Sequence, residues 1–168
     1  MNWLIREVFN MNLTYITKNP EETKKIGKKI AKLLEPGDII LFFGELGAGK
    51  TCFAQGIAEA LGTKDDVNSP SFTIINEYLG KVPIYHFDLF RLNNFKEILD
   101  LGYEEYFYGN GITLVEWAEK MELHLPTEFL KIIITFTDSK RRKIEIFPKG
   151  KHFVRLTGEL KKDEDIGD

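Results

Sequence analysis

Residues 44–51 read Gly-Glu-Leu-Gly-Ala-Gly-Lys-Thr, and this octapeptide constrains the fold more than any other feature of the sequence. It matches the pattern G-x-x-x-x-G-K-[ST], in which glycines allow successive backbone N–H groups to turn inward toward phosphate oxygens. The apolar run 38–43 predicts a buried strand before the loop, and apolar residues at helical spacing predict a helix over 51–61. The unit therefore predicts an α/β domain with a phosphate-binding loop, although a glycine-rich turn without a ligand has the same local pattern.

The loop and the first turn of the following helix supply the expected phosphate contacts. Nine consecutive residues are expected to contact a nucleotide: Gly44, Glu45, Leu46, Gly47, Ala48, Gly49, Lys50, Thr51 and Cys52. The Lys50 ammonium is expected to reach the β- and γ-phosphates, and the Thr51 hydroxyl to bind Mg²⁺. The start of the helix adds the positive end of its dipole, which favours an anion at this place.

Two acidic residues close apolar strands further along the chain. Asp88 follows the run 82–87, and Glu116 follows the run 113–115. An acid at the carboxyl end of a strand in a parallel-type sheet lies on the ligand side, where it binds Mg²⁺ or orients an attacking water. The alternatives are that Asp88 begins a turn and that Glu116 is a solvated edge residue.

A hydroxyl-rich segment, residues 67–73, lies between the loop and Asp88. Its hydroxyls belong to Ser69, Ser71 and Thr73, and Pro70 stiffens it. Such a segment is expected to contact the γ-phosphate or Mg²⁺ and to change its order with the nucleotide state. The alternative is an ordinary connecting loop.

The remaining pattern predicts a P-loop NTPase of the α/β class, with a mixed sheet, helices on both faces and antiparallel strands in the C-terminal half. Asn19 and Pro20 have the residue types of an N-cap and a first helical position. A short helix is predicted over 95–101. Further strands are predicted over residues 13–17, 71–78, 82–88, 112–116, 129–136, 143–147 and 152–156.

The length of 168 residues indicates one domain, expected over 11–156. Residues 1–10 are interpreted as an N-terminal extension, with Met11 as an alternative start, and the charged residues 157–168 as a disordered tail. The net charge of −3 argues against a basic face that binds nucleic acid by itself, and the single cysteine excludes an internal disulfide. The sequence has no apolar run near ~18 residues and no signal-peptide pattern, so no membrane contact and a cytoplasmic location are expected.

Four segments, in this order and at these spacings, resemble the TsaE family, also called YjeE: residues 44–51, 68–72, 85–92 and 115–119. The resemblance runs from about Met11 to the neighbourhood of Leu156. It implies a bacterial ATPase that is needed to make threonylcarbamoyladenosine in transfer RNA. Such a protein binds ATP and Mg²⁺, hydrolyses ATP slowly when alone, and acts as a nucleotide switch on the TsaB and TsaD proteins, with transfer RNA contacted only indirectly.

The resemblance also implies residue roles. Thr51 and Glu116 match the family's magnesium positions, and Asp88 matches its second acid, so the expected metal ligands are these three. The expected catalytic residues are Lys50, Asp88 and Glu116, and the expected switch residues are Ser69, Ser71, Thr73 and Trp117. The family usually has Thr at positions 71 and 52 and Asp at position 45, so this sequence departs from it there.

The proposed chemistry is in-line attack of water on the γ-phosphate, with Glu116 orienting the water or holding the second side of the metal. Three alternatives remain. A P-loop small-molecule kinase needs an acceptor pocket and an arginine-rich lid, a GTPase needs a guanine-reading motif, and an interaction module needs nucleotide only as a structural relic. Residues 19–23 and the loop with Lys140 and Arg141 are expected near the adenine, with solvated loops as the alternative.

Overall fold

The computed structural model of the chain describes residues 12–121 and 123–165, and these form a single mixed sheet of seven strands with helices around it. The predicted extension, residues 1–10, lies outside the described residues. The strands are β1 (Leu13–Thr17), β2 (Ile39–Phe43), β3 (Ile75–Tyr78), β4 (Ile84–Asp88), β5 (Ile112–Glu116), β6 (Phe129–Phe136) and β7 (Arg142–Lys149). The helices are α1 (Pro20–Ala31), α2 (Lys50–Ala60), α3 (Phe95–Asp100), α4 (Tyr103–Phe107), a 3₁₀ turn (Ala118–Met121) and α5 (Lys151–Asp165).

The strand order is β1-β7-β6-β2-β5-β4-β3, and it confirms the predicted mixed sheet. The central strands β6, β2, β5 and β4 run parallel to their neighbours in this group, while β1, β7 and β3 pair antiparallel at the two sides. The carboxyl ends of parallel strands meet at one edge of a sheet. The ends of β2, β4 and β5 therefore bring the phosphate-binding loop, Asp88 and Glu116 to the same edge.

Helices cover both faces of the sheet, as predicted, because alternate residues of the central strand β2 point to opposite sides. Ile40 and Phe42 belong to the apolar core that includes residues of α1, α2 and α5. Ile39 and Leu41 belong to a second core with residues of α3, α4 and the 3₁₀ turn. A strand that is buried on both faces reads as a continuous apolar run, which is why residues 38–43 were recognisable as a strand.

Helices α1 and α2 are in close contact at two glycines. A Cβ atom on Gly56 would overlap the backbone carbonyl of Lys24, and one on Gly27 would lie 2.6 Å from the carbonyl oxygen of Phe53. The N-terminus of α1 is capped as predicted, because the Asn19 side chain accepts a hydrogen bond from the Glu22 N–H at 2.9 Å and Pro20 begins the helix. The close contact between α1 and α2 fixes the start of α1 beside the phosphate-binding loop.

The C-terminal segment differs from the sequence prediction. Residues 152–156 lie in α5 and not in a strand, and residues 157–165, predicted as a disordered tail, continue the same helix. The buried residues Phe153, Leu156 and Leu160 recur at helical spacing and pack into the core beside α1 and α2. The five residues 152–156 are too few to distinguish a strand from a helix by themselves. A second difference is that β3 begins at Ile75, since residues 71–73 form a turn.

Within the described ranges, no helix is both long enough and apolar enough to cross a membrane.

Candidate functional site

A cavity of about 370 Å³ opens at the carboxyl edge of the sheet. Four parts of the chain form it: the phosphate-binding loop with the start of α2, the segment 67–73, the end of β4 and the end of β5. The lining residues are Leu46, Gly47, Ala48, Gly49, Lys50, Thr51, Cys52, Ser69, Ser71, Asp88, Phe90, Glu116 and Trp117. The cavity therefore collects most of the residues that the sequence predicted to bind a nucleotide.

The conformation of the loop depends on its glycines. Gly44, Gly47 and Gly49 have positive φ angles of 151°, 77° and 115°, which side-chain-bearing residues rarely adopt. Gly44 also lies so close to the backbone of Ile134 in β6 that a Cβ would overlap its carbonyl. Gly49 precedes the eleven-residue helix α2 without a side-chain cap, so the first N–H groups of that helix remain available to an anion.

Lys50 is buried, and its ammonium lies inside the loop. Nζ donates hydrogen bonds to the carbonyl oxygens of Gly44 and of Glu45, the latter at 2.9 Å. It also lies 4.1 Å from the centroid of the Trp117 ring, a cation–π distance. Burial lowers the pKa of Lys50, and the nearby carboxylates of Glu116, Glu119 and Asp88 only partly oppose this effect. Gly44 and Glu45 do not line the cavity. Their backbone carbonyl groups instead hold the Lys50 ammonium at its wall.

Thr51 and Glu116 contact each other directly. The Thr51 hydroxyl donates to both Glu116 carboxylate oxygens, at 2.9 Å to Oε1 and 3.2 Å to Oε2. Glu116 is 3% exposed, and its Oε1 also lies 2.8 Å from Nε2 of the buried His86. The hydroxyl and the carboxylate that were predicted as metal ligands therefore meet at one point of the cavity wall.

Asp88 lies beside Glu116 on the neighbouring strand, since the two residues are paired in the β4–β5 register. Its Oδ2 accepts hydrogen bonds from the hydroxyls of Ser69, at 2.6 Å, and Ser71, at 3.1 Å. Its Oδ1 accepts from the backbone N–H of Phe90 at 3.0 Å. These contacts attach the hydroxyl-rich segment to the end of β4, a pairing that the sequence did not predict.

The donor set fits Mg²⁺, which prefers hard oxygen ligands and keeps several waters or substrate oxygens. Thr51, Asp88 and Glu116 supply one hydroxyl and two carboxylates. Among the residues that the structure describes, no group of three or more His, Cys, Asp or Glu side chains is placed to hold a metal. A magnesium ion at this place would therefore take its remaining oxygens from phosphates and water, as is usual for Mg²⁺ at nucleotide sites.

Two residues of the site have strained backbones. Trp117, which follows Glu116, has φ of 59°, and Ile74, which follows the hydroxyl-rich segment, has φ of 68°. In the described part of the chain these are the only non-glycine residues with positive φ. Ile74 is held by its N–H donating to the Pro70 carbonyl at 2.6 Å and its carbonyl accepting from the Asp88 N–H at 2.8 Å. Strain of this kind costs about 1–3 kcal/mol per residue and concentrates at functional sites.

One predicted switch residue does not reach the cavity. The Thr73 hydroxyl donates to the Asn76 side chain at 2.7 Å, and Thr73 is not part of the cavity wall, unlike Ser69 and Ser71. Conversely, the sequence analysis missed His86. The signal for it was its position two residues before Asp88, because alternate residues of a strand point to the same face.

A second cleft, of about 210 Å³, lies on the other side of the phosphate-binding loop. Its wall combines the start of α1, the loop and the β6–β7 turn; the residues are Asn19, Pro20, Thr23, Gly47, Ala48, Gly49, Cys52, Lys140 and Arg142. Arg142 donates from Nε to the Ala48 carbonyl at 3.1 Å, whereas Arg141 pairs with Asp138 at 2.6 Å. The two segments that were expected near an adenine thus meet at one cleft, with Arg142 in the place considered for Arg141.

Known proteins of one family resemble this chain in sequence and in fold. The family model described as "Threonylcarbamoyl adenosine biosynthesis protein TsaE" matches residues 17–144. A tRNA threonylcarbamoyladenosine biosynthesis protein TsaE from Bacillus subtilis is 46% identical over 92% of this chain and 97% of its own length. Proteins of the same name from Treponema pallidum and Nostoc are 33% and 37% identical over 78% and 82% of this chain, and 97% and 90% of their own lengths. The crystal structure of Bacillus subtilis YdiB superposes with a TM-score of 0.80 at 42% identity, covering 91% of this chain and 96% of that one.

Proposed function

This chain belongs to the TsaE family, and on that premise we propose that it is a Mg²⁺-dependent ATPase that acts as a nucleotide switch in the threonylcarbamoyladenosine modification of transfer RNA. One observation carries the proposal. Lys50 and Thr51 at the start of α2 converge on one cavity with two acids, Asp88 at the end of β4 and Glu116 at the end of β5. This is the set of lysine, hydroxyl and acids that P-loop NTPases use on a nucleoside triphosphate.

The two clefts together suit one nucleotide. They share Gly47, Ala48, Gly49 and Cys52, so a ligand on the loop extends into both. We place the phosphates on the loop N–H groups and on Lys50, and the base in the smaller cleft between the start of α1 and Arg142. The Lys50 ammonium must then exchange its bonds to the Gly44 and Glu45 carbonyls for phosphate oxygens, which are stronger acceptors because they are charged.

In this proposal Thr51, Asp88 and Glu116 would hold Mg²⁺, which would neutralise charge on the phosphate oxygens when bound. Glu116 orients the attacking water, because its carboxylate lies at the cavity wall beside Thr51. Ser69 and Ser71 change their contacts with the nucleotide state. Both donate to the Asp88 carboxylate, so a change in what Asp88 binds alters their hydrogen bonds. Trp117 contacts the Lys50 ammonium and so responds to the same event.

The arrangement of arginines supports slow hydrolysis by the chain alone. None of the residues that line the larger cavity in the described structure is an arginine. Arg91, the nearest in sequence to Asp88, is exposed and lies 4.2 Å over the Phe72 ring. A cation supplied at the transition state accelerates such reactions by about 10³–10⁵. We propose that a TsaB–TsaD complex supplies or completes this element, with transfer RNA contacted only indirectly and the reaction in the cytoplasm.

The test is the steady-state rate of phosphate release from Mg²⁺-ATP, measured for the chain alone and with purified TsaB–TsaD. A low basal rate that rises on adding the pair supports the switch. If phosphate instead passes to a small acceptor and TsaB–TsaD has no effect, the chain is a P-loop kinase. Lys50→Ala serves as the control for contaminating ATPases, because it removes the cation that holds the phosphates.

A further inference from the structure

His86 is a fully buried histidine in contact with the acid of the site. It is 0% exposed, and its Nε2 lies 2.8 Å from Oε1 of Glu116. The strand β4 carries it two residues before Asp88, on the same face, so its ring lies beneath the acidic wall of the cavity and does not line it. Its neighbours in the sheet register are Asn76 on β3 and Leu114 on β5.

The other ring nitrogen determines the tautomer. Nδ1 is buried and has no hydrogen-bond partner among the described residues. The nearby Tyr78 ring, at 6.1 Å between centroids, has its hydroxyl bonded to the Asn68 carbonyl. A buried N–H without an acceptor costs more than a buried lone pair on an acceptor nitrogen, so the proton belongs on Nε2. The ring then donates Nε2–H to Oε1 of Glu116.

We propose that His86 is a positioning residue for Glu116, a role that rests on the proposed function. Glu116 Oε1 accepts hydrogen bonds from two directions, the His86 ring and the Thr51 hydroxyl. Among the described residues, Oε2 has only the longer bond to Thr51. The ring thus fixes the rotation of the carboxylate and leaves Oε2 as the oxygen that is free to change partners at the cavity.

The position of His86 argues against a purely structural role. A leucine or phenylalanine would fill this buried place without leaving an unsatisfied nitrogen, and buried polar groups without partners are costly. The unpaired Nδ1 of His86 therefore costs stability, and the hydrogen bond to Glu116 is what the histidine provides in return. Partners that orient the ligands of a metal typically contribute about 10–100-fold to metal affinity or activity.

The chain offers a matched control for a histidine–carboxylate pair. His152 of α5 bonds through Nε2 to Oδ2 of Asp38 at 2.9 Å, and it lines neither cavity. We compare His86→Leu, His86→Gln and His152→Leu in the full-length chain. Glutamine retains an N–H donor on a side chain of similar reach, whereas leucine removes it.

Three measurements are made on each variant: kcat and KM for ATP, the Mg²⁺ dependence of ADP binding, and Tm. For His86→Leu we expect kcat to fall about tenfold or more and half-saturation by Mg²⁺ to rise by a similar factor. The KM for ATP and the affinity for ADP without Mg²⁺ should stay within about twofold, because the loop is unchanged. His86→Gln should recover most of both losses, and His152→Leu should alter only Tm.

The proposal is overturned if folded His86→Leu keeps the wild-type kcat and Mg²⁺ dependence. It is also overturned if leucine and glutamine variants lose activity equally and in proportion to Tm, which is the result of a structural role. The ADP measurement does not depend on turnover. If the wild type binds Mg²⁺-ADP but hydrolyses nothing, the ATPase proposal fails, while the role of His86 is still decided by the shift in Mg²⁺ half-saturation.

A second readout needs no nucleotide. The chain has three histidines, so their ring nitrogens are resolvable by ¹⁵N NMR. We expect His86 to carry its proton on Nε2, with an unprotonated Nδ1. Observation of the Nδ1–H tautomer would contradict the proposed donor bond to Glu116.

Discussion

Replacing Gly56 with alanine tests the close contact between α1 and α2. A Cβ at this position would lie 2.8 Å from the Lys24 Cα and 2.9 Å from its carbonyl carbon, and it would overlap the carbonyl oxygen. All three atoms belong to the backbone, so no side-chain rotation relieves the overlap, and α1 must move as a unit. The substitution therefore asks how firmly the start of α1 is held beside the phosphate-binding loop.

The expected magnitude combines two opposing terms. Alanine gains about 1 kcal/mol over glycine in a helix interior. Overpacking in a well-packed core costs about 1–3 kcal/mol, and the backbone overlap at Gly56 places it at the upper end, near 3. The net loss is about 2 kcal/mol of unfolding free energy. For a chain of this size that corresponds to a fall in Tm of about 4–8 °C.

The assay is urea denaturation with thermal unfolding as a second probe. Gly158→Ala is the control, because Gly158 also lies within a helix, α5, and its substitution carries the same helix-propensity gain of about 0.5–1 kcal/mol. ADP affinity should fall in the Gly56 variant as well, since α1 begins at the wall of the smaller cleft. A Gly56→Ala protein that is as stable as the Gly158→Ala protein would refute the packing argument.

Three further predictions concern charged groups. Glu116→Ala should preserve ATP binding while phosphate release falls at least about tenfold, because its carboxylate lies at the proposed metal position and the loop N–H groups and Lys50 stay unchanged; an unchanged rate would remove Glu116 from the mechanism. Since burial lowers the pKa of Lys50, ADP affinity should decline with rising pH before the ordinary lysine range of about 10.4 is reached; a decline that begins only above it contradicts this burial effect. The pKa of Asp138 is held at about 2 by the backbone N–H groups of Lys140 and Arg141 and by the Arg141 guanidinium. The contribution of Asp138 to folding stability is therefore fully present above the unfolded-state pKa of about 3.9 and is lost as pH falls toward 2. Asp138→Asn should therefore reduce the pH dependence of stability in that window, as measured by urea denaturation at several pH values.

The sequence was sufficient wherever the signal is local. The strand, loop and helix around residues 39–60 form a contiguous unit with glycines at positions that need positive φ, and the acids at the ends of β4 and β5 close recognisable apolar runs. Asn19 and Pro20 identify the start of α1 in the same way, because capping depends on neighbours within one turn.

The errors and omissions have tertiary causes. Ile74 adopts a left-handed conformation that β-branched residues avoid, so no pattern indicated that the chain turns there and directs Thr73 toward Asn76. The contact of His86 with Glu116 joins two strands that are thirty positions apart, and only the sheet register reveals it. In α5 the helical period becomes visible only when Phe153, Leu156 and Leu160 are considered together, beyond the five residues 152–156 that suggested a strand.

The place of β2 in the sheet has a consequence for biosynthesis. The strand that leads into the phosphate-binding loop lies between β5 and β6, whose residues follow it by about seventy to ninety positions. During translation, α1, β2 and α2 leave the ribosome long before the strands that flank β2 exist. Because such long-range pairings form late and slowly, the nascent chain carries an apolar strand with at least one open edge until β6 has been made. A bound nucleotide stabilises only the folded chain, in which β5 and β6 already flank β2. Ligand binding is therefore expected to protect complete chains from proteases and to leave truncated chains unprotected.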